Sequence, residues 1–162
     1  MPDVHTSRHL KLAYTAPDAR HGDEIPVRVV LAEDHPMMRR SLRALLDGEP
    51  DIEVVGEARE LATAIAQVRR YHPAVLVLDL RMSSGTDIDA VRRMRVRVPE
   101  TMVVVITMNE AHGFARKAHD AGAVGFVLKD MADVELPEAI RRAANGEPYT
   151  SPRVRSRAAP LA

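Results

Sequence analysis

Residues 75–82 read VLVLDLRM, and the fold turns on them. Val75–Leu78 is unbroken apolar sequence, closed by the charged Asp79. An uninterrupted apolar run, in place of alternation, marks a parallel strand buried on both faces. A strand is therefore predicted over Val75–Leu80. Met102–Thr107 repeats the pattern, with Met102–Ile106 apolar throughout. Val27–Ala32, Ile52–Ala58 and Gly125–Leu128 read as three further strands. Helical periodicity fills the gaps. Pro36–Asp47 places Met38, Leu42, Leu45 and Leu46 on one stripe, and Glu60–Tyr71 turns Leu61, Ile65 and Val68 inward. Helices are also predicted over Asp87–Val96, Glu110–Ala121 and Asp133–Asn145, with Gly48, Gly122 and Gly146 at the stops. Strand and helix thus alternate five times. Such units, joined by right-handed crossovers, build a doubly wound parallel α/β sheet with helices on both faces.

The rest of the composition narrows the class. Lysine plus arginine equals aspartate plus glutamate at 23 each, so no global field draws the chain to nucleic acid or anionic lipid. Cysteine is absent, which excludes disulfides, thiolate metal sites and cysteine nucleophiles. No apolar run is long enough for a membrane helix, and residues 1–22 lack a signal-peptide core, so a cytoplasmic location is expected. Residues 1–25 are read as a loose arm; His5, His9 and His21 in it are irregularly spaced, without an acidic ligand cluster. The main unit is set at residues 26–149. Residues 150–162, basic through Arg153, Arg155 and Arg157 and interrupted by prolines, are read as a tail or linker stub that does not extend the core.

In an open parallel sheet, functional groups collect beyond the carboxyl ends of the strands. Here those ends carry Glu33 and Asp34, Asp79, Thr107 and Lys129. If the first and third strands are neighbours, three carboxylates converge. Their mutual repulsion requires positive charge. Lys129 supplies one such charge, and a hard cation such as magnesium suits the remaining oxygens. Carboxylates, a cation, a lysine and a hydroxyl make a phosphoryl-handling set in which one carboxylate can act as nucleophile. Each residue also has a plainer use. Glu33, Asp34 and Thr107 suit helix caps, Asp79 a turn, and Lys129 a solvated surface. Those uses would have to coincide at four strand ends on one edge.

With VVLAEDHPMMRRSLRALL, VLVLDLRM, VVVITM and GAVGFVLKD in this order and spacing, the chain resembles the receiver domain of bacterial response regulators over residues 26–149. EDHPMMRRSLRALL, the Lys129–Asp130 pair and GEPYTSP are similar to the NarL/FixJ-like subfamily. The resemblance implies a flavodoxin-like fold of five parallel strands in order 2-1-3-4-5, flanked by five helices. It implies Asp79 as phosphoacceptor for a sensor histidine kinase. Glu33, Asp34, Asp79 and the backbone carbonyl of Arg81 would hold Mg2+. Lys129 would pair with the phosphoryl group, and Thr107 would turn toward it while Phe126 changes rotamer. Arg81 and Asn109 would tune the lifetime of the adduct, and receivers of this kind often form homodimers on phosphorylation. Departures from the pattern are Glu33 for aspartate, Ser83 where proline is frequent, Met108 where a small residue is common, and Asp130 where many receivers have proline. The subfamily continues into a helix-turn-helix domain for which 162 residues leave no room, so DNA binding by this chain alone is not expected.

Three other readings are weaker. An aspartate-nucleophile phosphatase needs a second aspartate two residues after the first, and Arg81 stands there. A degenerate receiver acting as a phosphorylation-independent docking module would have no use for the full set Glu33, Asp34, Asp79 and Lys129. Flavin binding lacks a Ser/Thr-rich phosphate loop after the first strand.

Overall fold

The Val-rich runs of the sequence become the middle of one sheet. The structure, a computed structural model, describes residues 25–82 and 87–156. In chain order it has β1 (Val27–Ala32), α1 (Pro36–Asp47), β2 (Ile52–Ala58), α2 (Leu61–Tyr71), β3 (Val75–Asp79), α3 (Ile88–Arg97), β4 (Met102–Thr107), α4 (His112–Asp120) and β5 (Gly125–Leu128). A single 3₁₀ turn (Lys129–Met131) leads into α5 (Ala132–Ala144), followed by β6 (Tyr149–Thr150) and α6 (Pro152–Ser156). All strand pairs are parallel, in the order β2-β1-β3-β4-β5-β6.

The sheet divides the core into two layers, as the period of two along each strand requires. Val29, Leu31, Val75, Val77, Val104, Ile106 and Val127 share a layer with Leu42 and Leu46 of α1 and Leu136 and Ile140 of α5. Val30, Leu76, Leu78, Val103, Val105 and Phe126 share the other with Val68 of α2, Met94 of α3 and Ala115 and Ala118 of α4. Every residue of β3 is buried, which accounts for its unbroken apolar sequence.

The architecture is the predicted α/β sheet with one addition. The tail read over residues 150–162 does not stay off the core. Instead β6 pairs with β5 (Gly125 with Tyr149, Phe126 with Thr150), and Ser151 and Val154 are fully buried. The strand order is therefore longer by one than 2-1-3-4-5. The reason is local. Ser151 Oγ donates to the carboxylate of Glu135 in α5 and accepts from Leu128 N at 2.9 Å, so a buried polar group is satisfied on both sides. Smaller differences concern ends. Strand β3 stops at Asp79, and Asp87 caps α3 by accepting from Asp89 N at 2.9 Å. Gly48 has φ −76° and uses none of glycine's freedom, whereas Gly122 (φ 111°) does. Of the arm predicted over residues 1–25, only Ile25 is described; His5, His9, His21 and Ser83 also lie outside the described residues.

Gly125 of β5 lies opposite Val104 of β4. A Cβ there would lie 2.9 Å from Val104 Cγ2 and 3.0 Å from Cγ1, on a stiff side chain. Gly125→Ala is expected to lower stability by about 1–3 kcal/mol in urea denaturation, and by clearly less when Val104 is alanine. An equal cost in both backgrounds would refute the close approach.

Candidate functional site

Strand register brings the polar strand ends level. Ala32 lies opposite Leu78, Asp79 opposite Ile106, and Thr107 opposite Leu128. The residues that follow β1 and β5, Glu33 and Lys129, therefore emerge on the same edge as Asp79 and Thr107. Glu33 is fully buried, and Asp79 and Thr107 are 1% exposed. The Lys129 side chain is 12% exposed, which excludes the solvated-surface reading.

Lys129 Nζ lies 2.8 Å from Glu33 Oε2 and 3.0 Å from Asp79 Oδ2, so one ammonium is shared by two buried carboxylates. The other oxygen of each carboxylate accepts a backbone N–H: Glu33 Oε1 from His35 at 3.0 Å, and Asp79 Oδ1 from Arg81 at 2.9 Å. These two short turns fold the chain around the carboxylates and keep the backbone of Arg81 at the Asp79 side chain. Burial pushes the Glu33 carboxyl above its ordinary value, against Lys129 and the His35 N–H; the Asp79 charge adds to the rise. Burial pulls Lys129 down, but its contacts with Glu33 and Asp79 together outweigh that, and its pKa is raised.

The donor set fits a hard divalent cation. Glu33 Oε2 is buried and, apart from the ion pair with Lys129, has no aligned hydrogen-bond partner. Ligand atoms of Glu33, Asp34 and His35 lie within 4.8 Å of one another. Carboxylate oxygens of this kind are the usual partners of magnesium. His35 was not singled out from the sequence, although it directly follows the acidic pair; its imidazole is exposed. Arg39 is another residue that sequence reasoning missed. From α1 its Nη1 donates to the Glu33 carbonyl at 2.8 Å and pins the loop that carries the carboxylate. Nothing in the helical pattern of α1 distinguishes this arginine from its neighbour Arg40.

The remaining candidates stand on the same edge with other partners. Thr107 Oγ1 accepts from Asn109 N at 3.1 Å, and Asn109 Oδ1 accepts from Ala111 N at 2.9 Å, at the start of α4. The cap residues of α1 and α4 are His35 and Ala111, so neither Asp34 nor Thr107 occupies a cap position. Phe126 is fully buried, with its ring 6.2 Å from that of Phe114 in an edge-to-face contact at 73°. Arg81 and Met108 are exposed beside the site. A cavity of about 720 Å³ opens at the opposite edge, among Val27, His72, Ala74 and Thr101 at or near the strand starts, away from the carboxylates.

Most of the described chain is similar to known proteins. Residues 29–141 match the family described as response regulator receiver domain. The chain is 37% identical over 129 residues to the nitrate/nitrite response regulator protein NarP of Escherichia coli, covering 80% of this chain and 60% of NarP. It thus spans about three fifths of that relative's length. Among solved structures, a two-component response regulator of the LuxR family from Aurantimonas superposes with a TM-score of 0.76 at 32% identity, over 81% of this chain and 94% of that one. The signal receiver domain of a putative response regulator NarL from Mycobacterium tuberculosis gives 0.71 at 31% identity, over 76% and 99%.

Removing the shared ammonium isolates two buried negative charges. Lys129→Met is expected to cost about 3 kcal/mol at neutral pH. A raised carboxyl pKa means the folded state holds its proton longer, so stability falls as pH rises from 4.5 through the Glu33 value. That fall should be steeper in the variant, and acidification toward 4.5 should recover part of the loss. The contribution of Lys129 is full below 10.5 and vanishes as pH climbs through its raised pKa, so the wild-type chain should lose more stability there than the variant, while the raised pKa of Tyr149 weakens both. Urea denaturation across pH gives both limbs; identical curves for the two proteins would contradict the assignment.

Proposed function

This chain belongs to the response regulator receiver domain family, and on that premise we propose that Asp79 accepts a phosphoryl group from a sensor histidine kinase in a magnesium-dependent step. The observation that carries the reading is the single ammonium of Lys129 held between Asp79 Oδ2 and Glu33 Oε2. A nucleophilic carboxylate must approach a charged phosphoryl group, and fixed positive charge at its side is the condition for that approach.

In the proposed step an Asp79 carboxylate oxygen attacks phosphorus, the P–N bond of a phosphohistidine breaks, and the electron pair leaves with the imidazole. A small donor such as acetyl phosphate would react in the same way, with loss of acetate. Magnesium, held by Glu33, Asp34, Asp79 and the Arg81 carbonyl, would neutralise oxygens of the transferred group. Lys129 leaves its two carboxylates to pair with a phosphoryl oxygen. The Thr107 hydroxyl, which has a proton to give, donates to another. Space vacated by Thr107 is open to Phe126, which couples the site to α4 through Phe114. This is a population shift between two packings, driven by a local change of charge. Arg81 and Asn109 flank the line of attack and set how fast water removes the group. The domain acts as a signalling module whose output is a docking or homodimer surface, and steady turnover is not its task.

Treatment with acetyl phosphate and magnesium should add the mass of one phosphoryl group. The adduct should be absent in Asp79→Asn and after chelation, and should form about 100-fold more slowly in Lys129→Ala. An adduct that persists in Asp79→Asn would refute the assignment.

A further inference from the structure

The segment that the sequence left as a tail is tied to the two loops that carry the candidate switch residues. Arg153 of α6 places Nη2 2.5 Å from Glu110 Oε1 and 2.6 Å from Asp130 Oδ2. Glu110 lies three residues after Thr107, and Asp130 directly follows Lys129. The loop between Thr107 and Glu110 is not slack, because its conformation is held by the Asn109 N–H on Thr107 Oγ1. A Thr107 hydroxyl that turns away from Asn109 withdraws an acceptor from the loop that presents Glu110. A Lys129 that leaves Glu33 and Asp79 shifts the 3₁₀ turn that presents Asp130.

The rest of the segment has separate anchors. Ser151 N donates to Phe126 O at 2.9 Å, and Tyr149 N to Val124 O at 3.0 Å. His119, in the last turn of α4, lies 2.8 Å through Nε2 from Thr150 Oγ1. Val154 is fully buried in the layer that holds Phe126, Ala115 and Ala118. β6 and Ser151 are held by sheet hydrogen bonds and by the buried Ser151 hydroxyl, whereas α6 is held by one buried side chain, Val154, and by charges that are about a third to just under a half exposed. Exposed ion pairs contribute little each and are readily exchanged for water. The helix is therefore the part that can loosen alone.

We propose that Arg153 is the bolt of a latch that reports the state of the Asp79 site to the chain leaving the domain: acyl phosphate formation draws Glu110 and Asp130 away from Arg153 and frees α6 from α4, while β6 stays in the sheet. The proposal rests on the phosphoryl-accepting reading of Asp79 and adds the element that senses it. It accounts for the placing of one arginine against carboxylates from both switch-bearing loops.

Amide hydrogen exchange on the full chain, read by NMR before and after acetyl phosphate and magnesium, tests it, with the adduct verified by mass on the same sample. The amides of Val154 and Arg155, both bonded to Ser151 O, should exchange about five- to thirtyfold faster in the phosphorylated chain. Those of Tyr149 and Ser151 should keep their protection. Arg153→Ala should show the fast pattern without phosphorylation and gain nothing from it, Glu110→Gln, which keeps the Asp130 pair, should show part of it, and Arg155→Ala should behave as wild type. A verified adduct with unchanged Val154 and Arg155 exchange, or equal acceleration at all four amides, overturns the latch while leaving the Asp79 assignment intact. Unphosphorylated Arg153→Ala with wild-type exchange also overturns it. Failure to form any adduct removes the reading of the site, and the latch with it.

Discussion

One ammonium between two buried carboxylates is the constraint on which the structure depends. Glu33 and Asp79 are removed from water, and among the described residues each is met by a backbone N–H and a share of Lys129. Charges buried in this way are tolerated only with partners close by. The partners cannot be supplied locally, because Glu33, Asp79 and Lys129 follow or end three different strands. Parallel pairing of β1 with β3, β3 with β4 and β4 with β5 delivers them to one place. The strands, in turn, hold their register because their inner stretches are apolar on both faces and locked between two helical layers. The core thus serves the site by fixing its geometry to within a side chain's reach.

The same edge is also where the fold can respond. Two short polar turns close around the carboxylates, and a third links Thr107 through Asn109 to the start of α4. These turns are held by a few side-chain hydrogen bonds, whereas the strand ends beneath them are packed in the core. A change of charge at Asp79 is therefore resisted by the sheet and taken up by the loops, and α4, β5 and the C-terminal segment are the elements attached to those loops. Such a division between a rigid floor and adjustable rim suits a signalling module.

Much of this could be read from the sequence, for identifiable reasons. Unbroken runs such as Val75–Leu78 leave little choice but a central parallel strand, and a charged or hydroxyl-bearing residue at the end of such a run marks the functional edge. That is why Glu33, Asp79, Thr107 and Lys129 could be named in advance. What could not be read depends on contacts between distant residues. β6 and α6 are too short to show a period, and their two inward residues, Ser151 and Val154, are buried because of Glu135, Leu128 and Phe126. The grip of Arg39 on the Glu33 carbonyl and the proximity of His35 to the acidic pair likewise leave no mark on helix periodicity. Gly48 was read as a helix stop by residue type, and its right-handed φ shows that composition alone does not reveal which glycines are conformationally required.

The electrostatic claim is open to direct measurement. With the carboxyl carbon of Glu33 observed by NMR in the metal-free protein, its titration midpoint should lie above the ordinary 4.5, because burial and the Asp79 charge outweigh Lys129 and the His35 N–H. Addition of magnesium should move that midpoint downward as positive charge joins the carboxylates. A Glu33 midpoint at or below 4.5 in the metal-free protein, unmoved by magnesium, would contradict the account.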